Sequence, residues 1–452
     1  MKKFKQEPWI TVGILTADKI DFELYGDFHS FGFRQIFSGP FSAEIINDRI
    51  ICRSKSDKME ISDEIIFEPT DPIAESFLIK EVPIGKEFHW ERKEKQRFIY
   101  QLKLLKHGQK IIAINFLPLE NYLVSVISSE MSAKSSLQLL KAHAIVSRSW
   151  LLRQLENKSI EKSEVESVPA QIENKSESEK IVWYDKQEHE LYDVCSDDHC
   201  QRFHGVTKIT TEIARQAIEQ TMGQVLTDSG NICDARYSKS CGGITEEFEN
   251  VWQPVHHNYL KSVLDYKFEP DNYNLDFTSE ANSSKWIKGN PPAFCNTLDN
   301  RILSQVLQDY DRETKNFYRW KVEYTQQELS DLIKQKTGID FGGIIDLQPV
   351  ERGKSARLVK LRIVGSKKTM VIGKELEIRK VLSKTHLLSS AIVIERGELR
   401  DSIPMRFIIW GAGWGHGVGL CQIGAAVMAY RGFMFDEILM HYFSNARITK
   451  IY

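Results

Sequence analysis

Hydrophobic residues recur at helical spacing most clearly between residues 117 and 154, LPLENYLVSVISSEMSAKSSLQLLKAHAIVSRSWLLRQ. This pattern predicts two helices. On the first, Leu123, Ile127 and Glu130 fall at i, i+4 and i+7, an apolar stripe ending in a carboxylate on the same face. Ser135 or Ser136 can cap the second, which turns Leu137, Leu140, Ala144 and Leu151 to a core and Lys141, Ala144 and Arg148 along a neighbouring edge. A Glu on an apolar stripe is out of phase, a salt-bridge partner (Arg148 is the candidate) or an acid held neutral by poor solvation. Before this pair, Trp9–Leu15, Phe41–Ile46, Ile50–Arg53 and Phe98–Leu102 read as short strands punctuated by Gly, Asn and Asp, a β-rich lobe over residues 1–116. Residues 117–452 then form the expected core. Within it, residues 156–180 are rich in Glu, Ser and Lys and nearly free of aromatics. Such a segment buries too little apolar area to offset its ordering entropy, so it reads as a disordered insertion. Beyond it come a helix near Thr210–Met222, a strand entering a Gly-Gly turn at 234–252, two helical patterns flanking FYRWKVEY, alternating strands at 344–371, and a strand, glycine loop and two helices at the end. The fold class is mixed α+β.

Composition narrows the function classes. With 452 residues and 42% hydrophobic content, the chain can bury a large core in two lobes or domains. Its 60 basic and 62 acidic residues nearly cancel, with no long basic block, which argues against nucleic acid as a partner. No apolar run is long enough to span a bilayer. The start, MKKFKQEPWITVGIL, is interrupted by Glu7 and Pro8 and does not read as an export signal. Seven cysteines, five of them scattered (Cys52, Cys233, Cys241, Cys295, Cys421), are not a disulfide framework.

Three groups of residues carry candidate chemistry. His189, Cys195, His199 and Cys200 crowd into twelve residues, two imidazoles and two thiols of the kind zinc takes in a tetrahedral shell. A Cys195–Cys200 disulfide is the rival reading, and it leaves both histidines unexplained. In GAGWGHGVGLCQIGA, glycines stand at 411, 413, 415, 417 and 419. No frame fits a dinucleotide or phosphate-binding loop; alternate glycines suit a strand or loop that another backbone or a chain-like ligand passes closely. His416 would project there, with Gln422 opening the next helix. In SKSCGGITE, residues 238–246, Ser240 and Cys241 lack any recognised nucleophile context and read as pocket walls. Trp252 and Tyr259 read as core, or as a platform for a sugar ring.

Taken in order, LPLENYLVSVISSEM with LKAHAIVSRSW, then SKSCGGITE, then GWGHGVGLCQIGA resemble the motifs of the stage II sporulation protein D and amidase-enhancer family. The resemblance runs from about Trp9 to Tyr452. Departures are His143, Ser149-Trp150, Tyr237, and Cys421 where Ser is usual. The resemblance implies a peptidoglycan lytic transglycosylase acting on glycan strands stripped of stem peptides. Its catalytic glutamate falls on Glu130, and zinc-bearing members carry Cys and His in the region of His189–Cys200. Glu130 would protonate the leaving oxygen between N-acetylmuramic acid and N-acetylglucosamine, then take the proton of the muramoyl C6 hydroxyl as that oxygen closes on C1. Arg148, Ser240, Thr245, Glu246, His416 and Gln422 are the expected glycan contacts. Glu246 is also the second carboxylate that a hydrolysing muramidase would need. A non-catalytic glycan-binding activator of a cell-wall amidase is the alternative from another class.

Overall fold

The computed structural model describes residues 4, 6–55, 58–85, 91–132, 135–161, 171–184, 189–209, 211–307 and 316–452. The chain divides into two compact units. One comprises Lys2–Ser147, Glu188–Gln224 and Lys450–Tyr452; the other comprises Arg148–Gln187 and Val225–Thr449.

Ten strands follow one another at the start of the first unit: β1 (Trp9–Ala17), β2 (Lys19–His29), β3 (Phe37–Ile46), β4 (Arg49–Arg53), β5 (Lys58–Ile61), β6 (Glu64–Pro69), β7 (Ser76–Ile84), β8 (Arg92–Phe98), β9 (Gln101–His107) and β10 (Lys110–Pro118). With the two-residue strand Val194–Cys195 they make an eleven-stranded sheet, in which Val194–Cys195 runs parallel to β1. Period-two alternation buries Ile20, Phe22 and Leu24 on one face of β2. Phe22, Phe37, Phe41 and Phe67 meet at centroid distances of 5.4–6.3 Å.

The strand expected across Phe98–Leu102 is instead a break between β8 and β9, with Tyr100 at φ 66°. The cause is non-local: the side-chain amide of buried Asn115 donates to the carbonyls of Ile99 (2.9 Å) and Gln101 (3.0 Å), holding the turn open.

β10 runs directly into α1 (Leu119–Glu130), whose first turn follows Pro118, a residue already at helix-compatible φ. The predicted single apolar stripe is too narrow: in α1 every residue but Asn121 is buried. α2 (Leu137–Glu161) begins as expected, with the Ser136 hydroxyl accepting the Leu139 N–H at 3.4 Å. From Ala142 to Leu152 it too is buried all round, including His143, Ser147, Arg148 and Ser149. A helix buried on all sides loses its amphipathic signature. The division between the units falls inside α2, after Ser147.

Regular structure occupies both ends of the segment read as an insertion, for α2 reaches Glu161 and strands cover Gln171–Lys175 and Glu179–Tyr184. Residues 162–170 lie outside the described residues.

In the second unit these two strands join Thr369–Gly373, Leu358–Gly365 and Ile344–Arg352, in that order, as a five-stranded sheet. Arg406–Ala412 is the middle strand of a smaller sheet, between Arg319–Thr325 and Ile392–Arg396. The helix Gln326–Thr337 shows how local sequence sets an element here. Thr325 and Glu328 form a reciprocal capping box, and Gly338 ends the helix at φ 70°. Leu329 and Ile333 lie in a core with Trp320, Phe341, Leu347, Leu361, Ile363 and Phe407. The fold is mixed α+β, with a β-rich N-terminal region as expected. Among the described residues no helix is long and apolar enough to cross a membrane.

Candidate active site and metal-binding loop

Glu130 closes α1 with only 6% of its surface exposed. One carboxylate oxygen accepts the backbone N–H of Arg202 at 3.1 Å, and the hydroxyl of adjacent Ser129 accepts the N–H of His204 at 3.2 Å. The segment Gln201–His204 is thus clasped to the last turn of α1. Side chains complete the clasp: Tyr122, one of the buried residues of α1, donates its hydroxyl to Gln201 (3.1 Å), and the ring of Phe203 stacks between Tyr122 (5.1 Å) and Phe98 (5.8 Å). Burial first, then Arg202 and Lys208, pull the His204 imidazole down to about 4, so it stays neutral in this setting.

The same segment is the exit of the His/Cys loop. Cys200 Sγ lies 3.4 Å from His189 Nε2 and 3.5 Å from His199 Nδ1, while Cys195 Sγ lies 3.8 Å from His199 Nδ1. All four candidate ligand atoms fall within 4.8 Å of one another. Tetrahedral zinc with bonds of about 2.0–2.1 Å to nitrogen and about 2.3 Å to sulfur requires ligand–ligand edges of roughly 3.3–3.8 Å, the range of these three sulfur–nitrogen separations, so the cluster could hold a metal ion. No disulfide joins Cys195 to Cys200. The Cys195 thiol is pushed well down, by its bond with Cys200 and then by the two imidazoles, toward the thiolate a metal takes.

The surroundings hold this loop to the sheet. Thr11 and Asp193 exchange hydrogen bonds at 2.8–2.9 Å, and the Tyr192 ring packs on His189 at 4.6 Å. Tyr192 also lies against Gly13, where an added Cβ would sit 2.6 Å from the ring. An ion pair between Arg202 and Asp198 closes the far side.

Arg148, Ser240, Thr245, Glu246, His416 and Gln422 belong to the second unit. Arg148 and Gln422 are buried in their helices. The alternate-glycine reading of the tail holds in its physical content. Gly413, Gly415, Gly417 and Gly419 all have positive φ, and another backbone does pass closely. Ser240 and Trp414 exchange backbone hydrogen bonds (3.0 and 2.8 Å), and Glu246 N–H donates to the Gly417 carbonyl at 2.9 Å. A Cβ at Gly413 would meet the Ser240 carbonyl at 2.7 Å, and one at Gly415 would meet the Ser238 side chain at 2.9 Å. What the glycines admit is therefore the SKSCGGITE turn of the same unit.

That turn has few side-chain atoms to offer a ligand. Glu246 is fully buried, and its carboxylate accepts from the N–H groups of Glu247 (2.9 Å), Lys354 (3.1 Å) and Ser355 (3.1 Å), the Asn250 amide (2.8 Å) and the Ser355 hydroxyl (2.6 Å). The Thr245 hydroxyl accepts the Val263 N–H at 2.7 Å and faces the carbonyls of Lys261 and Val263. The Ser240 hydroxyl is buried, with no hydrogen-bond partner among the described residues. Arg357, also fully buried, ties the parts together by donating to the Cys241 carbonyl (3.0 Å), the Ser355 hydroxyl (2.9 Å) and the Gly415 carbonyl (3.1 Å).

His416 is the expected contact that keeps some exposure. Its Nδ1 accepts the Val418 N–H at 3.0 Å, and desolvation, followed by Arg236, Arg357 and Arg379, holds the imidazole down to about 3. The Trp252 ring meets it edge-on at 5.1 Å, with the Arg236 guanidinium 4.5 Å over the indole. Trp252 is only partly buried and Tyr259 is core.

Two features of the sequence were not read as functional. The backbone donor at Arg202 is invisible to any residue-type motif, since an N–H carries no letter; its signal is its place two residues after Cys200. The second is a group of acid and thiol side chains, described below.

Residues 107–227 match the family described as stage II sporulation protein, and residues 246–419 match a domain of unknown function (DUF8618). The chain is 22% identical to stage II sporulation protein D of Bacillus subtilis over 338 residues, 75% of this chain and 76% of that protein. The same protein of Bacillus amyloliquefaciens is 23% identical over 338 residues, again 75% of this chain and 76% of the relative. The amidase enhancer of Bacillus subtilis is 26% identical over 247 residues, 52% of this chain and 32% of the enhancer. The matched region contains both α1 with Glu130 and the His/Cys loop. The chain thus carries a stage II sporulation protein domain, and its relatives support the stage II sporulation protein D and amidase-enhancer family.

Proposed function

We propose that this chain is a peptidoglycan lytic transglycosylase, cleaving glycan strands between N-acetylmuramic acid and N-acetylglucosamine. Similarity to this family implies a cell-wall function, and the reaction is our reading of it. The observation that carries the reading is Glu130: a nearly buried carboxyl at the end of a buried helix, one oxygen fixed by the Arg202 N–H. Held in this way, Glu130 acts first as acid on the glycosidic oxygen and then as base toward the muramoyl C6 hydroxyl, which closes on C1 to leave a 1,6-anhydro end. The nucleophile comes from the sugar, so no second carboxylate is required. The placement of Glu246 agrees with this, because its five donors leave it bracing a turn rather than activating water.

His189, Cys195, His199 and Cys200 are our candidate zinc ligands. With four protein ligands the ion would be structural, keeping the loop that precedes Arg202 in shape. Among the expected glycan contacts, His416 with neighbouring Trp252 is best suited to a sugar face, an imidazole edge beside an indole.

The test is digestion of peptide-free glycan strands by the purified chain and by Glu130→Gln, with products resolved by mass. Anhydro-ended fragments from the first and only a small residue of them from the second, with strand binding retained, is the expected result. Cleavage by Glu130→Gln at the original rate rejects the assignment. The relative named amidase enhancer favours a second reading, in which the chain binds glycan and stimulates an amidase. That reading requires amidase stimulation to survive in Glu130→Gln.

A further inference from the structure

Three of the cysteines that look scattered along the sequence converge in the second unit. Cys241, from the Gly-Gly turn, Cys295, and Cys421, from the end of the glycine tail, gather with Asp265, and one ligand atom of each lies within 4.8 Å of all the others. All four residues are 0–2% exposed. Cys241 and Cys295 have sulfurs 3.7 Å apart, far beyond a disulfide bond and close to the edge of roughly 3.8 Å that two thiolates span on tetrahedral zinc. We propose that Cys241, Asp265, Cys295 and Cys421 form a second, closed metal site that holds a structural zinc ion.

The groups around the four donors suit that role. Cys421 Sγ accepts N–H groups from Cys241 (3.2 Å) and Gly424 (3.4 Å), the second of these as the N-cap of the helix Gln422–Tyr430. Backbone donors and a helix N-terminus both stabilise a thiolate. Asp265 is oriented by the Cys295 N–H on one oxygen (2.8 Å) and the Tyr442 hydroxyl on the other (2.6 Å), the kind of outer support metal-bound carboxylates receive. Gly424 lets these groups close up, since a Cβ there would run into both the Tyr442 hydroxyl and the Asp265 carboxylate. Three thiolates, one carboxylate and a dication carry a net charge of −2. Arg357, bonded to the Cys241 carbonyl at 3.0 Å, is a nearby counter-charge.

Three sulfurs and one oxygen, with no water-facing side, favour zinc held for structure rather than for catalysis. The ion would join four segments spread over 180 residues, including both motifs that flank the glycine tail. This inference is independent of the proposed reaction.

The test is zinc per chain in the full-length protein purified with zinc and reductant. The wild type is expected to hold about two zinc ions and His189→Ala/Cys200→Ser about one, with three sulfurs and one oxygen in that zinc's X-ray absorption spectrum. Cys421→Ser should also drop to about one; serine keeps an N-cap acceptor at that helix, so the variant is expected to fold. A Cys421→Ser protein with the wild-type zinc content overturns the proposal. So does a folded His189→Ala/Cys200→Ser protein without zinc, or a Cys241–Cys295 disulfide recovered from the wild type prepared in this way.

Discussion

The two donor clusters of this molecule are built in opposite ways. One lies in a single loop, His189 to Cys200, part-exposed and stitched to the edge of β1. The other is drawn from positions 241, 265, 295 and 421 and is sealed from solvent. The loop cluster runs straight into Arg202, whose backbone holds Glu130, so disturbing it should be read in chemistry. The sealed cluster anchors the Gly-Gly turn and the glycine tail, so disturbing it should be read in stability. A donor set gathered by short-range sequence can serve as a positioning device. One gathered by tertiary folding serves as a staple, because forming it presupposes most of the fold.

Experiments can break this contrast from either end. The largest effect is expected at Glu130 itself, where replacement by Gln should lower glycan cleavage by about 10²–10⁴-fold, the usual range for losing a general acid–base group, measured as turnover on peptide-free strands. Next, Cys200→Ser should reduce turnover by about 10–100-fold with little change in melting temperature, as when the support of a site is loosened. An equal loss from Cys421→Ser at unchanged stability would erase the distinction between the clusters. Smaller still, Gly353→Ala should cost about 1–3 kcal/mol in denaturant unfolding, because its Cβ would press on the buried Glu246 carboxylate. Turnover per folded molecule should remain near wild type.

The smallest effect is a pH dependence. His416 is held at about 3 and His204 at about 4, both below their ordinary 6.5. Between pH 6.5 and these values the unfolded chain takes up protons that the folded chain refuses. Stability is therefore full above about pH 6.5 and falls as the solution is acidified through that window. Melting curves across it should show the fall, and His416→Gln should make it shallower.

How much of this was legible depended on distance along the chain. The strands of the β-rich lobe and the four loop donors could be read because each rests on neighbouring residues. The Phe98–Leu102 strand was misread because Asn115, thirteen residues beyond its end, holds the turn carbonyls. The stripe on α1 was too narrow a reading because burial on all sides leaves no polar face to mark the phase. Glu246, Thr245 and Ser240 are expected as glycan contacts from the family resemblance of their motif, which says nothing of what packs on it. Instead the turn is buried against the glycine tail and the Gly353–Arg357 loop, with the Glu246 and Thr245 side chains bonded to protein groups. The sealed cluster gave no signal, since nothing in the spacing of Cys241, Cys295 and Cys421 foretells that they meet.

Cleavage in water enriched in oxygen-18 tests the central claim most directly, since it asks where the oxygen on the new chain end comes from. If Glu130 draws the C6 hydroxyl onto C1, every new muramoyl end is anhydro, carries no label, and forms far more slowly in digests by Glu130→Gln. Reducing ends carrying oxygen-18, or unlabelled anhydro ends made equally well by Glu130→Gln, would contradict it.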